Sequence, residues 1–333
     1  METPDTALCP AKPRFWDWLH ILSLDAPIAA CVWQWSLAHH HHLQLPSAVY
    51  WGLALAAWGI YILDRTLDGY STAPLDQTPR HDFYRSRRGS IFFFVLPTIA
   101  VAAGYLALWE IPEGLLWHVV AIAIMVTVYL ASFAAAQAKV ARDLLFSITG
   151  LGAIILLSQL PISGDARLIA SLGILAVMFF VMARQFGANK KARVPKEIAA
   201  GVLFAMGCSA AIRFYAQEEN ILPPLLETAL MSGLFIGNLT AISEAERCHL
   251  PGAEGPMLPT AKWLTMTGIL AILTWLQGSR LPAGHHLQTL ALVILTGTAL
   301  LAALRCARHR LHPDSFRSLA DLAVVLPLAI YWR

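Results

Sequence analysis

The stretch SAVYWGLALAAWGIYILDRTLD, residues 47–68, joins a long apolar segment to a small group of charges. Within this stretch no charged residue precedes Asp64. Arg65 and Asp68 then follow, so that all three charges lie within five positions. A helix that crosses a bilayer needs about 17–25 predominantly apolar residues. The stretch therefore predicts a transmembrane helix whose charged end lies at one face of the membrane.

The rest of the chain has the same apolar character. Of its 333 residues, 57% are hydrophobic and only 14% are charged, and the mean hydropathy is +0.58. Soluble domains carry about 25% charged residues, so this composition predicts an integral membrane protein. The apolar segments of membrane-spanning length lie near 21–38, 47–63, 91–108, 115–135, 143–160, 166–183, 197–215, 224–243, 260–276, 286–304 and 318–332.

These segments predict an all-α, polytopic transmembrane helix bundle of about 9–11 helices. Residues 1–20 are expected to form a cytoplasmic N-terminal segment, and residues 21–333 a single transmembrane domain. If the segments alternate in direction, 20 of the 24 Lys and Arg residues fall on one side, leaving only Arg167, Arg213, Arg280 and Arg333 on the other. Because basic residues accumulate on the cytoplasmic side of membrane proteins, we expect the N-terminus and the carboxylates of residues 64–68 to be cytoplasmic.

Asp64 and Asp68 are four residues apart, so on a continuous helix they lie on one side, about 40° apart. Two carboxylates in that arrangement can share Mg²⁺, which takes few protein ligands and recruits phosphate oxygens for the rest. Arginine binds phosphate through parallel hydrogen bonds, and Arg65 is adjacent. The alternative is a charged helix end with local ion pairs only.

The same stretch resembles the first aspartate-rich motif of the UbiA superfamily of intramembrane prenyltransferases, N-D-x-x-D-x-x-x-D. Asp64, Arg65 and Asp68 match its second half, while Ile60 and Tyr61 stand in place of its Asn and first Asp. Upstream, LSLDAPIAA (22–30) is similar to the opening of that family's first helix. Downstream, KKARVPKEIAAGVLFAMG (190–207) resembles its basic loop leading into an apolar helix.

The family's second acidic motif resembles NLTAISEAER, residues 238–247, in which glutamates replace aspartates. This register leaves one extra pair of helices between the first motif and residue 190. It implies that the two acidic stretches face each other across a cavity. If the helices are instead numbered simply in chain order, the second motif is absent from the loop that precedes residue 196.

The resemblance implies that a polyprenyl group moves from its diphosphate to an aromatic or lipid acceptor, in a reaction that depends on Mg²⁺. The metal ligands would be Asp64, Asp68, Glu244 and Glu246. The other catalytic residues would be Arg65, Lys190 and Lys191, which neutralise the departing diphosphate. The substrate-binding residues would be Asp25, Asn238 and Arg247. The expected partners are a polyprenyl diphosphate, a small acceptor and membrane lipid, with no nucleic acid.

Two alternatives remain open. The chain could be a catalytically inactive UbiA-fold protein that binds lipid or assists assembly, or an unrelated membrane transporter. A transporter should carry ionisable residues near the middle of the membrane and broken helices, whereas the acidic residues here gather at one face. The run His39–His42 could hold a metal ion or form a polar cap at the opposite interface.

Overall fold

A computed structural model of the chain describes residue 19 and residues 21–68, 79–133, 196–217, 222–248, 259–278 and 284–332. These residues are 92% helical and contain no strand, so the predicted all-α polytopic bundle is confirmed. The predicted segments 143–160 and 166–183 lie outside the described residues, as does nearly all of residues 1–20.

The described residues form ten α-helices, numbered here in chain order. They are α1 Asp25–His40, α2 Ser47–Asp68, α3 Pro79–Ser90, α4 Leu96–Tyr105, α5 Glu113–Phe133, α6 Lys196–Ala216, α7 Leu222–Cys248, α8 Thr260–Gly278, α9 Gly284–Ala307 and α10 Pro313–Val325. A π-helical turn, Ile91–Val95, joins α3 to α4, and a second, Leu106–Glu110, extends α4. A 3₁₀ helix, Leu326–Trp332, follows α10.

Six stretches of the described chain are long and apolar enough to cross a membrane. They are Ser47–Asp68, Asp82–Glu110, Glu113–Ala131, Lys196–Ala216, Leu222–Cys248 and His285–Ala307. Within them the backbone polar groups bond along the helix, which is what a hydrocarbon environment requires. The protein is therefore an integral membrane protein with several transmembrane helices.

Helix α7 is the centre of the bundle. It packs against α6, α8, α9 and α10. Of its most apolar part, 72% is buried inside the protein, whereas the buried share is at most 39% in the five other described stretches that could cross a membrane. Gly233 and Gly237 allow α8 to approach, because a Cβ atom at these positions would lie 2.7 Å from Thr267 Oγ1 and Leu264 Cδ2 respectively. Small residues four apart are a common means of close helix packing in membranes.

Hydrogen bonds fix the turn that leads into α1. Trp58 on α2 donates a hydrogen bond from Nε1 to the Leu22 carbonyl at 2.9 Å, and the Ser23 hydroxyl lies 3.1 Å from the Tyr84 hydroxyl on α3. Ser23 itself has a φ angle of 53°, in the left-handed region. These contacts hold the chain against α2 and α3 immediately before Asp25, the first residue of α1.

Two glycines of α6 give a matched test of the packing between α6 and α7. A Cβ atom on Gly201 would lie 2.8 Å from the Ile236 backbone nitrogen, whereas one on Gly207 would meet only Leu53 Cδ1 at 3.8 Å. We expect G201A to lower the free energy of unfolding by roughly 1–3 kcal/mol through overpacking. G207A should leave it unchanged or raise it by up to about 1 kcal/mol, since alanine favours helix.

The measurement is thermal unfolding of both purified variants in one detergent. Equal stability of G201A and the wild-type protein would contradict the close contact between α6 and α7.

Candidate functional site

A cavity of about 680 Å³ runs between the helices. Its wall is formed by α1, α2, α4 and the π-helical turn after it, α5, α6, α7 and α10, and is largely apolar. Small residues leave the space open; they include Ala56, Ala57, Gly104, Ala123, Ala200 and Gly207. The size lies within the range of ≈300–1,000 Å³ usual for ligand pockets.

Charged side chains gather where α2 ends and α6 begins. Lys196, the first residue of α6, places its Nζ atom 3.0 Å from Asp64 Oδ1 and 3.0 Å from Asp68 Oδ2. α2 continues as a helix through Asp68, so the two aspartates lie on one side of it, as their spacing predicted. One ammonium group thus bridges both carboxylates.

Arg65 lies beside this bridge. Its Nη1 atom is 3.7 Å from Asp68 Oδ2, a distance too long for a hydrogen bond. Its Nε atom is buried and has no hydrogen-bond partner in the described part of the structure. Arg65 therefore retains a donor that a ligand in the cavity could use.

The second acidic stretch reaches the same cavity through Glu246. This residue lines the cavity wall from α7 and is paired with Arg317 of α10, and it lies within electrostatic range of Arg65. The structure therefore brings Asp64, Asp68 and Glu246 to one cavity, although each carboxylate already faces a cationic side chain.

Glu244, unlike Glu246, does not line the cavity. Its carboxylate accepts a hydrogen bond from Arg305 Nε at 2.8 Å and lies 3.3 Å from Arg308 Nε. Two successive positions on a helix rotate a side chain by about 200°, so Glu244 and Glu246 leave α7 on different sides. Glu244 joins α7 to α9, while Glu246 joins α7 to α10.

A second polar group occurs deeper in the cavity. Asn238 on α7 donates a hydrogen bond from Nδ2 to Asp321 Oδ1 on α10 at 2.9 Å, but its own Oδ1 has no partner among the described residues. Gln34 on α1 is only 2% exposed, and its Oε1 also lacks a partner there. Buried polar atoms are usually hydrogen-bonded, so these two acceptors would be satisfied by a donor from water or from a ligand.

The remaining predicted site residues are placed as follows. Asp25 and Arg247 line the cavity, and Asp25 lies near Tyr61, whose ring is also part of the wall. Lys190 and Lys191 lie outside the described residues. Their role therefore stays a prediction, while Lys196, the first residue of α6, lines the cavity.

The carboxylate pair fits a magnesium ion in one respect. The Lys196 ammonium is a stand-in cation, and its two 3.0 Å contacts show that Asp64 and Asp68 converge on one cation position. Within the described ranges, no group of three or more His, Cys, Asp or Glu side chains is arranged to hold a metal ion. Since Mg²⁺ often uses two carboxylates together with substrate phosphates, the pair suits an ion that arrives with a phosphate. The ion itself stays a prediction.

Sequence reasoning missed Lys196, Arg317, Asp321 and Gln34 as site residues. Asp321 carried a usable signal, because an ionisable residue inside an apolar segment marks a functional candidate. The lysine and the arginine carried none, since basic residues are expected at every cytoplasmic helix end. Only the folded arrangement distinguishes them from their neighbours.

The histidine run lies at the opposite end of the bundle. His41 donates a hydrogen bond from Nε2 to Glu227 Oε1 at 3.2 Å. The Nε2 atom of His40 lies 3.3 Å from the His286 carbonyl oxygen. The rings of His41 and His286 stack with their centroids 5.0 Å apart. These contacts join α1, α7 and α9, consistent with the interpretation as a polar cap.

Comparison of the chain with protein-family models, curated proteins and solved structures finds no match. The resemblance to the UbiA superfamily therefore stays a prediction from the motifs.

The two glutamates of α7 provide a test of the site geometry. E244Q should lower the free energy of unfolding by about 1–3 kcal/mol, because it leaves two arginines without their shared carboxylate. It should not change ligand binding in the cavity, whereas E246Q, whose side chain lines the cavity, should. The measurement is thermal unfolding together with titration of a prenyl diphosphate analogue. Loss of binding in E244Q with full binding in E246Q would contradict the described arrangement.

Proposed function

We propose that the protein is a UbiA-like intramembrane prenyltransferase, which moves a polyprenyl group from its diphosphate to a small acceptor. The observation that supports this most is the form of the cavity: a mostly apolar wall that ends at a cluster of carboxylates, guanidinium groups and an ammonium group. A polyprenyl diphosphate also has one apolar part and one charged part, its prenyl chain and its diphosphate head group. The apolar wall suits the chain and the charged end suits the head group.

Arg65 and Lys196 are proposed to hold the diphosphate. The free Nε of Arg65 can donate to a phosphate oxygen, and guanidinium binds phosphate well. When bound, Mg²⁺ at Asp64 and Asp68 would offset the negative charge of the leaving diphosphate. The same two cationic side chains stabilise that charge as it develops.

The acceptor is proposed to lie deeper, near Gln34 and Asn238. Each residue has a buried carbonyl oxygen without a partner in the described structure, so an acceptor bearing a hydroxyl or amine group would satisfy them. The allylic carbon–oxygen bond breaks, and the electron pair leaves with the diphosphate. The acceptor then forms the new bond and loses a proton to the released diphosphate or to a carboxylate of the wall. The ring of Tyr129 or Tyr61 can face the intermediate allylic cation.

One observation favours a second candidate, a lipid-binding protein without transfer activity. The carboxylates Asp64, Asp68 and Glu246 are already paired with cationic side chains, and half of the first motif is missing. A site closed by its own ion pairs can bind a phosphate head group and still fail to activate it.

The deciding experiment measures both binding and transfer. We expect wild-type protein to bind a non-hydrolysable farnesyl diphosphate analogue, and to transfer a prenyl group from farnesyl diphosphate to a member of a panel of phenolic and lipid acceptors when Mg²⁺ is present. D64N and D68N should each lower transfer at least about a hundredfold, the scale of losing one charge-stabilising group. D82N, on the exposed part of α3, is the matched control.

Binding by the wild-type protein without transfer would favour the second candidate. Full activity in both α2 variants would remove the prenyltransferase proposal.

The charged end of the cavity is proposed to face the cytoplasm, with the N-terminus on the same side. Cys248 and Cys306 are exposed and lie at that end, whereas Gln44 is exposed in the loop between α1 and α2 at the other. In variants that keep a single cysteine, a membrane-impermeant maleimide should label Cys248 or Cys306 only after the membrane is permeabilised, and Q44C in intact cells. The reverse pattern would overturn this orientation.

A further inference from the structure

We propose that Lys196 is an internal competitor for the cation position between Asp64 and Asp68, so that a divalent cation and an anionic phosphate head group enter the site only together. This inference rests on the proposed function for the identity of the head group. It assigns to Lys196 a part in coupling the binding of metal and head group that the sequence motifs do not contain.

The first step of the argument is the position of the ammonium group. Nζ of Lys196 lies 3.0 Å from Asp64 Oδ1, and 3.2 and 3.0 Å from the two oxygens of Asp68. A cation that binds both carboxylates must use this volume. The aspartate side chains are only 15% and 18% exposed, so a metal ion that binds the carboxylate oxygens facing the ammonium group would have to displace that group.

The second step concerns where the lysine goes. Lys196 begins α6, where the free backbone N–H groups and the helix dipole favour an anion over a cation. Displaced by a metal ion alone, the ammonium would stay at the positive end of a helix without its carboxylates. A phosphate oxygen at this end would give it a new partner, and the buried Nε of Arg65 would gain one as well.

The third step is the charge of the cavity. The described residues that line it include six carboxylates, Asp25, Asp64, Asp68, Glu197, Glu246 and Asp321, and four cations, Arg65, Lys196, Arg247 and Arg317. A diphosphate alone therefore meets a negative surplus, which opposes its binding. A divalent cation compensates that surplus, so the cation and the head group each remove an obstacle to the other.

Two buried acceptors give independent support for a ligand in this cavity. Gln34 is 2% exposed and Asn238 is 8% exposed, and both residues line the cavity. A buried carbonyl oxygen of each has no partner in the described residues. They lie on α1 and α7, whereas the ion pairs join α2 and α6, so they point to an occupant for reasons unrelated to the ion pairs.

The experiment is a titration of full-length protein in detergent with Mn²⁺ as a spectroscopic probe, since carboxylate sites for Mg²⁺ also accept Mn²⁺. Each variant is titrated with Mn²⁺ alone, with farnesyl thiodiphosphate present, and with inorganic diphosphate present. For the wild-type protein, farnesyl thiodiphosphate should increase Mn²⁺ affinity at least about fivefold, the lower end of measured couplings between sites. In K196Q, Mn²⁺ alone should bind at least about fivefold more tightly than it does to the wild-type protein.

Two controls separate charge from general effects. K196R keeps a cation between the aspartates and should continue to exclude Mn²⁺ alone. K262Q removes a lysine that is exposed on α8 and does not line the cavity, and it should behave as the wild-type protein. Coupling with inorganic diphosphate as strong as with the farnesyl compound would identify the phosphate groups, and not the prenyl chain, as the partner of the metal.

Equal or weaker binding of Mn²⁺ alone to K196Q would overturn the proposal. If K196Q unfolds because its aspartates repel each other, Mg²⁺ should restore its thermal unfolding transition while Na⁺ at equal ionic strength should not; a variant that stays unfolded in Mg²⁺ would also overturn it. Failure of the proposed function looks different. In that case K196Q gains Mn²⁺ affinity, but no variant binds farnesyl thiodiphosphate.

Discussion

The ion pairs between Lys196 and the two aspartates of α2 are the interactions around which the charged end of this bundle is arranged. A charge inside a largely apolar protein is costly unless an opposite charge accompanies it. α2 carries two carboxylates at its last turn, and α6 carries an ammonium group at its first residue. The two helix ends must therefore meet, and this meeting places the end of the cavity between them.

The same requirement explains the three other helices at this end. Glu246 of α7 is paired with Arg317 of α10. Glu244 of α7 is paired with Arg305 of α9 and with Arg308, which lies just after α9. α7 thus presents one carboxylate to the cavity and one to the outer helices. Its central place in the bundle depends on glycines at its contacts, because Gly233 and Gly237 of α7 let α8 approach and Gly201 of α6 lets α6 approach. Glycine and alanine residues serve two purposes in this bundle. They allow close packing around α7, and they leave open space between α2 and α5.

Much of the fold could be predicted from apolar length alone. Each predicted segment that lies wholly or partly in the described residues overlaps a helix, although 21–38, 260–276 and 318–332 are not among the six stretches long and apolar enough to cross a membrane. α2 extends through Asp68, so that its two aspartates share a side. The side of the helix from which each charged side chain projects was less predictable. Glu244 and Glu246 were treated as equivalent, but two positions on a helix point in different directions. Lys196 had no feature in the sequence that set it apart from the four other basic residues between positions 184 and 196.

By itself, the sequence determined that this chain lies in a membrane and that it is built of helices. It could do so because hydrocarbon solvation depends on composition along a short segment, which is a local property. Only the tertiary structure decided which charge faces which. Lys196 is 128 residues from Asp68, and Asn238 is 83 residues from Asp321. Contacts over such separations depend on how whole helices pack, and no local pattern encodes them.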